Sequence, residues 1–142
     1  MFFNILLVLV FLSFLIIIHE LGHFLTAKFF KVKVEEFGFG FPPRLFAKKI
    51  GETEYSLNLI PFGGFVKIQG ESGEEKTVSE RSFRSQPAWK KAAMIGAGVT
   101  ANFLIAWLIS AAVLFAGTKG GLVLSLIKEN SPAEKAGLRQ GD

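Results

Sequence analysis

Cysteine is absent from the 142-residue sequence, which excludes disulfides and thiolate metal ligands and leaves no clue to redox compartment. Aspartate is almost absent: the final residue, Asp142, is the only one. Histidine occurs twice, as His19 and His23. A metal site in this chain therefore has only imidazoles and carboxylates to draw on. No Lys or Arg precedes Lys28, and no charge of either sign falls between Ala92 and Gly117. A secretory signal needs positive charge before its apolar core and a small-x-small cleavage site after it, so the N-terminal run reads as a retained segment. No internal repeat or low-complexity tract is present.

What the chain has in abundance is apolar surface. Half its residues are hydrophobic and sixteen are Phe, the composition of a membrane protein. The net charge is +4, but the basic residues cluster beside apolar runs. They read as flanks for an anionic lipid surface, and no nucleic-acid partner is expected. The first run extends from about Phe2 to Phe30; as a helix it would be roughly 40 Å long, enough to cross a bilayer and emerge. The second runs from Ala92 to Gly117, with Pro87 suited to its first turn and Ser85 or Gln86 near the cap. Twelve of the sixteen Lys and Arg lie between Lys28 and Lys91, and four follow the second run. The positive-inside rule then expects a cytoplasmic connection and both chain ends outside.

The first run contains His19-Glu20-Leu21-Gly22-His23. On a helix the two imidazoles fall at i and i+4, on one face, where both can reach one Zn²⁺. Glu20 can then take a proton from an attacking water. Ionisable groups at membrane depth are costly and mark function. The expectation is a zinc hydrolase with His19 and His23 as ligands and Glu20 as catalytic base.

The connection looks like β structure. Thr53–Leu59 alternates in part, Pro61-Phe62-Gly63-Gly64 supplies turn chemistry, and Phe65–Ile68 resumes an extended pattern, which predicts a hairpin. Phe37-Gly38-Phe39-Gly40-Phe41-Pro42-Pro43 reads as a further strand or a loop dipping to the membrane interface. Such a sheet either packs on the helix ends or holds a substrate in extended form along an open edge, with Gly63 and Gly64 as candidate substrate-binding positions. Residues 72–80 read as a solvated link. In the second run Gly98, Asn102, Ala106 and Ser110 fall four apart, a seam for close helix packing; alternatively Asn102 turns its amide to the metal site to orient substrate.

In order along the chain, the His19–Phe24 segment, the Gly-Phe-Gly stretch from Phe37, Pro61–Val66 and Ala97-Gly98 to Asn102-Phe103 resemble the site-2 protease family of intramembrane zinc metalloproteases, in particular its bacterial regulator of sigma-E protease branch. Gly120–Leu124 and Asn130–Asp142 resemble the opening of a PDZ domain, with Ser131 capping a short helix from Pro132 and Gly137 ending it. Val99 stands where the family usually has Pro. The resemblance implies a mainly α membrane protein in four parts. Residues 1–30 form a transmembrane helix, 31–86 a cytoplasmic β-rich loop, 87–117 a second transmembrane helix, and 118–142 the start of an extracytoplasmic PDZ domain. It implies Zn²⁺ as cofactor, a bacterial inner-membrane location, and as substrates pre-trimmed membrane proteins such as an anti-sigma factor. The family's third ligand, an Asp in a Leu-Asp-Gly motif, has no match in this sequence. The expectation is an N-terminal part of a longer enzyme, inactive alone. The alternative is a non-catalytic membrane scaffold with a PDZ-like peptide-binding segment.

Overall fold

A computed structural model describes residues 1–72, 79–117, 128 and 131–138. The elements are α1 (Phe2–Phe29), β1 (Val34–Ile50), β2 (Thr53–Ile68), a 3-10 turn at Phe83–Ser85, α2 (Ala88–Ala116) and the single turn α3 (Pro132–Lys135). The chain divides into two compact units, Met1–Ala106 and Trp107–Asp142. The first carries α1, the sheet and most of α2. In the second, Lys135 N–H donates to the Ser131 carbonyl and Gly137 takes φ +84°, a short helix with the expected start and stop. Most of the PDZ-like stretch, and the link at 73–78, lie outside the described residues.

Both long helices form where the sequence is uniformly apolar. Each is long and apolar enough to span a membrane, and neither buries that surface within the protein. Phe3, Val8 and Val10 on α1, and Val99 and Phe103 on α2, are all 60% or more exposed. Apolar area left open on this scale calls for lipid or further protein around it.

α1 ends by hydrogen bonding that the sequence does not announce. Lys31 N–H donates to the Lys28 carbonyl, Val32 N–H to that of Ala27, and Lys31 takes φ +60°. This is a Schellman ending with Lys where Gly is usual. Its hydrophobic clasp is present, since Val32 and Ala27 are fully buried in one cluster with Val34, Ile68 and Met94. The small core thus forms where α1 turns into β1 and α2 starts. Ser85 and Gln86 do not cap α2. The Ser85 hydroxyl donates to the Ser79 carbonyl, and the Gln86 amide to that of Glu80. Lys90 and Lys91 N–H groups donate instead to the Pro87 carbonyl.

The predicted hairpin exists, but its reversal lies elsewhere. Ile50 stands opposite Thr53, so the turn is the two-residue Gly51-Glu52, with Gly51 at φ +62°. Pro61-Phe62-Gly63-Gly64 lies inside β2, where the strand bends and changes partner. Phe46–Ile50 pairs with Leu57–Thr53, while Glu36–Phe39 is flanked by Glu54–Leu57 on one side and Lys67–Gly64 on the other. Gly63 at φ +77° supplies the bend.

The sheet runs along α1 instead of standing apart from it. A Cβ built on Gly63 would lie 3.3 Å from Ile16, one on Gly64 3.8 Å from Ile17, and Val66 meets Glu20. The five strand steps from Gly63 to Ile68 span about 16 Å, as do the eleven helical steps from Ile16 to Ala27, so strand and helix keep step. The corner of β2 reaches further, where Phe39, Pro61 and Phe62 share an apolar pocket of about 420 Å³ with Leu6, Val10 and Phe14 of α1. One sheet face is aromatic: Phe37 and Tyr55 pack 5.1 and 6.1 Å from the Phe24 ring. The other carries Arg44, bonded to Glu36 at 2.7 Å and Glu54 at 3.0 Å.

The hairpin turn is anchored by charge. Both Glu52 oxygens accept from the Arg81 guanidinium at 2.8 Å, Lys28 reaches Glu52 at 3.2 Å, and Arg81 Nε donates to the Lys31 carbonyl. The Arg81 hydrogen bond chiefly, with Lys28, overcomes desolvation and holds the Glu52 carboxyl down to about 2 from an ordinary 4.5. A depressed carboxylate stabilises the fold at pH above its unfolded value, and that contribution is lost as pH falls from about 4.5 through 2. Because the group is a third exposed, solvent screening limits the effect to about 1 kcal/mol. Glu52→Gln should remove this pH dependence, measured as the melting temperature in detergent between those limits.

Candidate metal centre

The site is built where α2 crosses α1. Gly22 allows the approach: a Cβ there would fall 2.5 Å from the Ala97 carbonyl oxygen and 2.9 Å from the Ala101 side chain. The seam therefore runs through Gly22, Ala97 and Ala101, with Gly98 one position round from Ala97 on α2. Gly98 faces the imidazoles. A Cβ built on it would lie 2.5 Å from His19 Nε2 and 2.5 Å from His23 Nε2. Two atoms each 2.5 Å from one point are at most 5 Å apart. Tetrahedral zinc at roughly 2.0–2.1 Å from each nitrogen needs them about 3.3 Å apart, which this limit accommodates. The rings stand edge to face, 4.8 Å between centroids at 75°.

His23 is further fixed by its other nitrogen. Nδ1 lies 2.7 Å from the Met94 carbonyl oxygen. A carbonyl can only accept, so Nδ1 carries the hydrogen, and in the neutral imidazole Nε2 keeps its lone pair. Glu20, next to His19 on the helix, turns toward the sheet, where its Oε2 accepts the Val66 N–H at 3.1 Å. His19, Glu20 and His23 thus occupy one crossing of α1, α2 and β2, and the imidazoles fit two positions of a zinc site.

Among the described residues, no third protein ligand joins them: there is no group of three His, Cys, Asp or Glu that could hold a metal ion. The loop carboxylates have cationic neighbours: Glu36 and Glu54 meet Arg44, Glu35 meets Lys67, and Glu52 meets Lys28 and Arg81. Glu71 is different. Partial desolvation raises its carboxyl above the usual range, opposed by His23 and assisted by Glu20, so it lies within electrostatic reach of the pair although the residue is exposed.

Gly63 and Gly64 lie one turn before His19, at Ile16 and Ile17, and both have packing reasons to be glycine. A Cβ on Gly64 would fall 2.8 Å from the Gly38 carbonyl oxygen. Asn102, one turn beyond Gly98, has a buried Oδ1 with no hydrogen-bond partner. Sequence reasoning missed the Met94 carbonyl and the Val66 amide, because main-chain groups leave no signature in residue identity.

The comparisons agree with this geometry. Residues 7–136 match the model of Peptidase family M50. A Clostridium perfringens protein named "Putative zinc metalloprotease" is 40% identical over 130 residues, covering 92% of this chain and 38% of its own length. A Thermotoga maritima protein of the same name is 43% identical over 133 residues, covering 89% of this chain and 26% of its own. A third so named, from Clostridium acetobutylicum, is 42% identical over 146 residues, covering 99% and 41%. The chain belongs to the M50 family, the site-2 protease family. Its two apolar helices and its family make it a membrane protein, and it spans about two-fifths or less of these relatives.

Gly64→Ala is expected to destabilise the protein by about 1–3 kcal/mol, since the obstructing atom is backbone and cannot swing aside. Chemical denaturation in detergent, with Gly96→Ala as the comparison in open space, measures it.

Proposed function

We propose that the whole protein is a zinc-dependent intramembrane endopeptidase that cuts transmembrane segments of other membrane proteins. The observation that carries this is the convergence of two Nε2 atoms on Gly98 beside a carboxylate held by a strand edge. His19 and His23 would hold the metal, and a third ligand would come from outside the described residues. When bound, zinc supplies Lewis acidity that favours deprotonation of water and polarises a carbonyl. Glu20 accepts the proton of the attacking water at its carboxylate and passes it to the departing amine nitrogen as the C–N bond breaks. With two donors alone the chain holds zinc weakly, and turnover belongs to the complete protein.

A helical substrate hides its carbonyls in hydrogen bonds, so it must open locally before attack. β2 offers an extended template beside Glu20, its alternate amides directed away from β1 as Val66 shows. The exposed apolar residues of the hairpin, Leu45, Phe46 and Leu59 among them, suit immersion beside α1 in the bilayer. We place the hairpin turn on the cytoplasmic side with Lys28, both chain ends outside, and the PDZ-like stretch extracytoplasmic as a docking or size-selecting module. An anti-sigma factor already trimmed by another protease is the substrate type this reading favours, with a bacterial inner membrane as the setting.

In the complete protein, Glu20→Gln keeps the helix and both imidazoles and removes the base. It should cut peptide cleavage at least about 100-fold while stoichiometric zinc is retained. Full cleavage by that variant would disprove the role given to Glu20.

A further inference from the structure

We propose that the backbone of α2 is the positioning half of this metal centre. The Met94 carbonyl selects the His23 tautomer, and Gly98 keeps clear the space against which the Nε2 edges of both imidazoles lie. The inference rests on the reading that His19 and His23 hold the metal, and adds what makes them able to.

Three distances carry it. A side chain at 98 would begin 2.5 Å from each ring nitrogen and 2.6 Å from His19 Cε1. Metal–nitrogen bonds are about 2.0–2.1 Å, so such a carbon would crowd the nitrogens at almost coordination distance. Real Cβ atoms do not approach heavy atoms so closely. Either the rings turn away or the helices part, and both disperse the donors. One turn earlier on the same face, Met94 O accepts Nδ1–H of His23 at 2.7 Å. Without that acceptor the imidazole is free to protonate Nε2 and present no lone pair. Gly98 and Met94 are four residues apart, so one stretch of helix performs both tasks.

Helix propensity argues against the glycine, since Ala is the better residue in a helix interior. Gly96, two residues away, is the natural control: a Cβ there meets nothing within 4 Å. Gly22 is a second control. A Cβ there strains the same helix pair through the Ala97 carbonyl, and no ring nitrogen is among its nearest atoms.

The test uses the full chain in detergent with Co²⁺ as probe, titrated by its visible absorption, and far-UV circular dichroism in metal-free buffer to follow the fold. Gly98→Ala should weaken Co²⁺ binding at least about tenfold, the range seen when support around a ligand is lost. Gly96→Ala should bind as the unaltered chain does. Gly22→Ala should lower the melting temperature and weaken Co²⁺ binding less than Gly98→Ala. Independently of any variant, ¹⁵N NMR of the metal-free chain should show His23 protonated at Nδ1. Equal Co²⁺ affinity in Gly98→Ala, an equal loss in Gly96→Ala, or His23 protonated at Nε2 alone would each overturn the inference while leaving the ligands in place. Co²⁺ binding unaffected by His23→Ala would overturn the ligand reading and this inference together.

Discussion

The close crossing of α1 and α2 is the constraint on which the rest depends. It is set by two glycines facing opposite ways across one contact. Gly22 of α1 admits the Ala97 carbonyl and Ala101 of α2, and Gly98 of α2 admits the two imidazoles of α1. In a bilayer no hydrophobic force draws two apolar helices together, because lipid solvates them equally well. Packing and hydrogen bonds must do so, and small residues allow both. The Nδ1–H to Met94 bond lies within that contact. Metal geometry and helix association are therefore one packing problem.

The sheet obeys a related rule. A strand lowered beside a membrane helix must satisfy its own backbone, and an open edge is costly in lipid. Here β1 and β2 bend so that Glu36–Phe39 is paired on both sides, and the outer edge at Gly64–Lys67 lies along α1. Arg44 is neutralised by Glu36 and Glu54, with the Ser56 hydroxyl also donating to Glu36. Charges carried on such a sheet need this pairing. At the hairpin turn the logic changes to solvent-exposed ion pairs, where Glu52 ties together Lys28 and Arg81.

Much of this was legible in the residues. Two long apolar runs gave the two long helices, the i, i+4 spacing gave the imidazole pair, and glycine alternating with Phe gave a strand. The misplaced turn has a plain cause: Pro61-Phe62-Gly63-Gly64 has the composition of a reversal, yet it serves as a bend within β2, while Gly51-Glu52 reverses the chain with one glycine. The seam was also displaced. Spacing pointed to Gly98 and Asn102 as the packing stripe, whereas Ala97 and Ala101 meet Gly22 and Gly98 faces the rings. A run of small residues gives several equivalent faces, and only the partner helix chooses among them. The end of α1, expected near Phe30, falls at Phe29; only its left-handed cap at Lys31 was invisible, because the sequence lacks the expected glycine.

One hydrogen bond joins the chemistry to the sheet. The Val66 amide that would pair with an extended substrate is the same amide that holds Glu20 Oε2. A carboxylate retains lone pairs after accepting one N–H, so the bond orients Glu20 without exhausting it. A substrate backbone laid along β2 would compete for that amide, and Glu20 would then be released to water as the peptide arrives. On the proposed reading, the orientation of Glu20 and substrate occupancy would be coupled through a single main-chain donor. That coupling would give a physical reason for the proposed proteolytic centre to sit against a strand edge instead of within a bundle of helices alone.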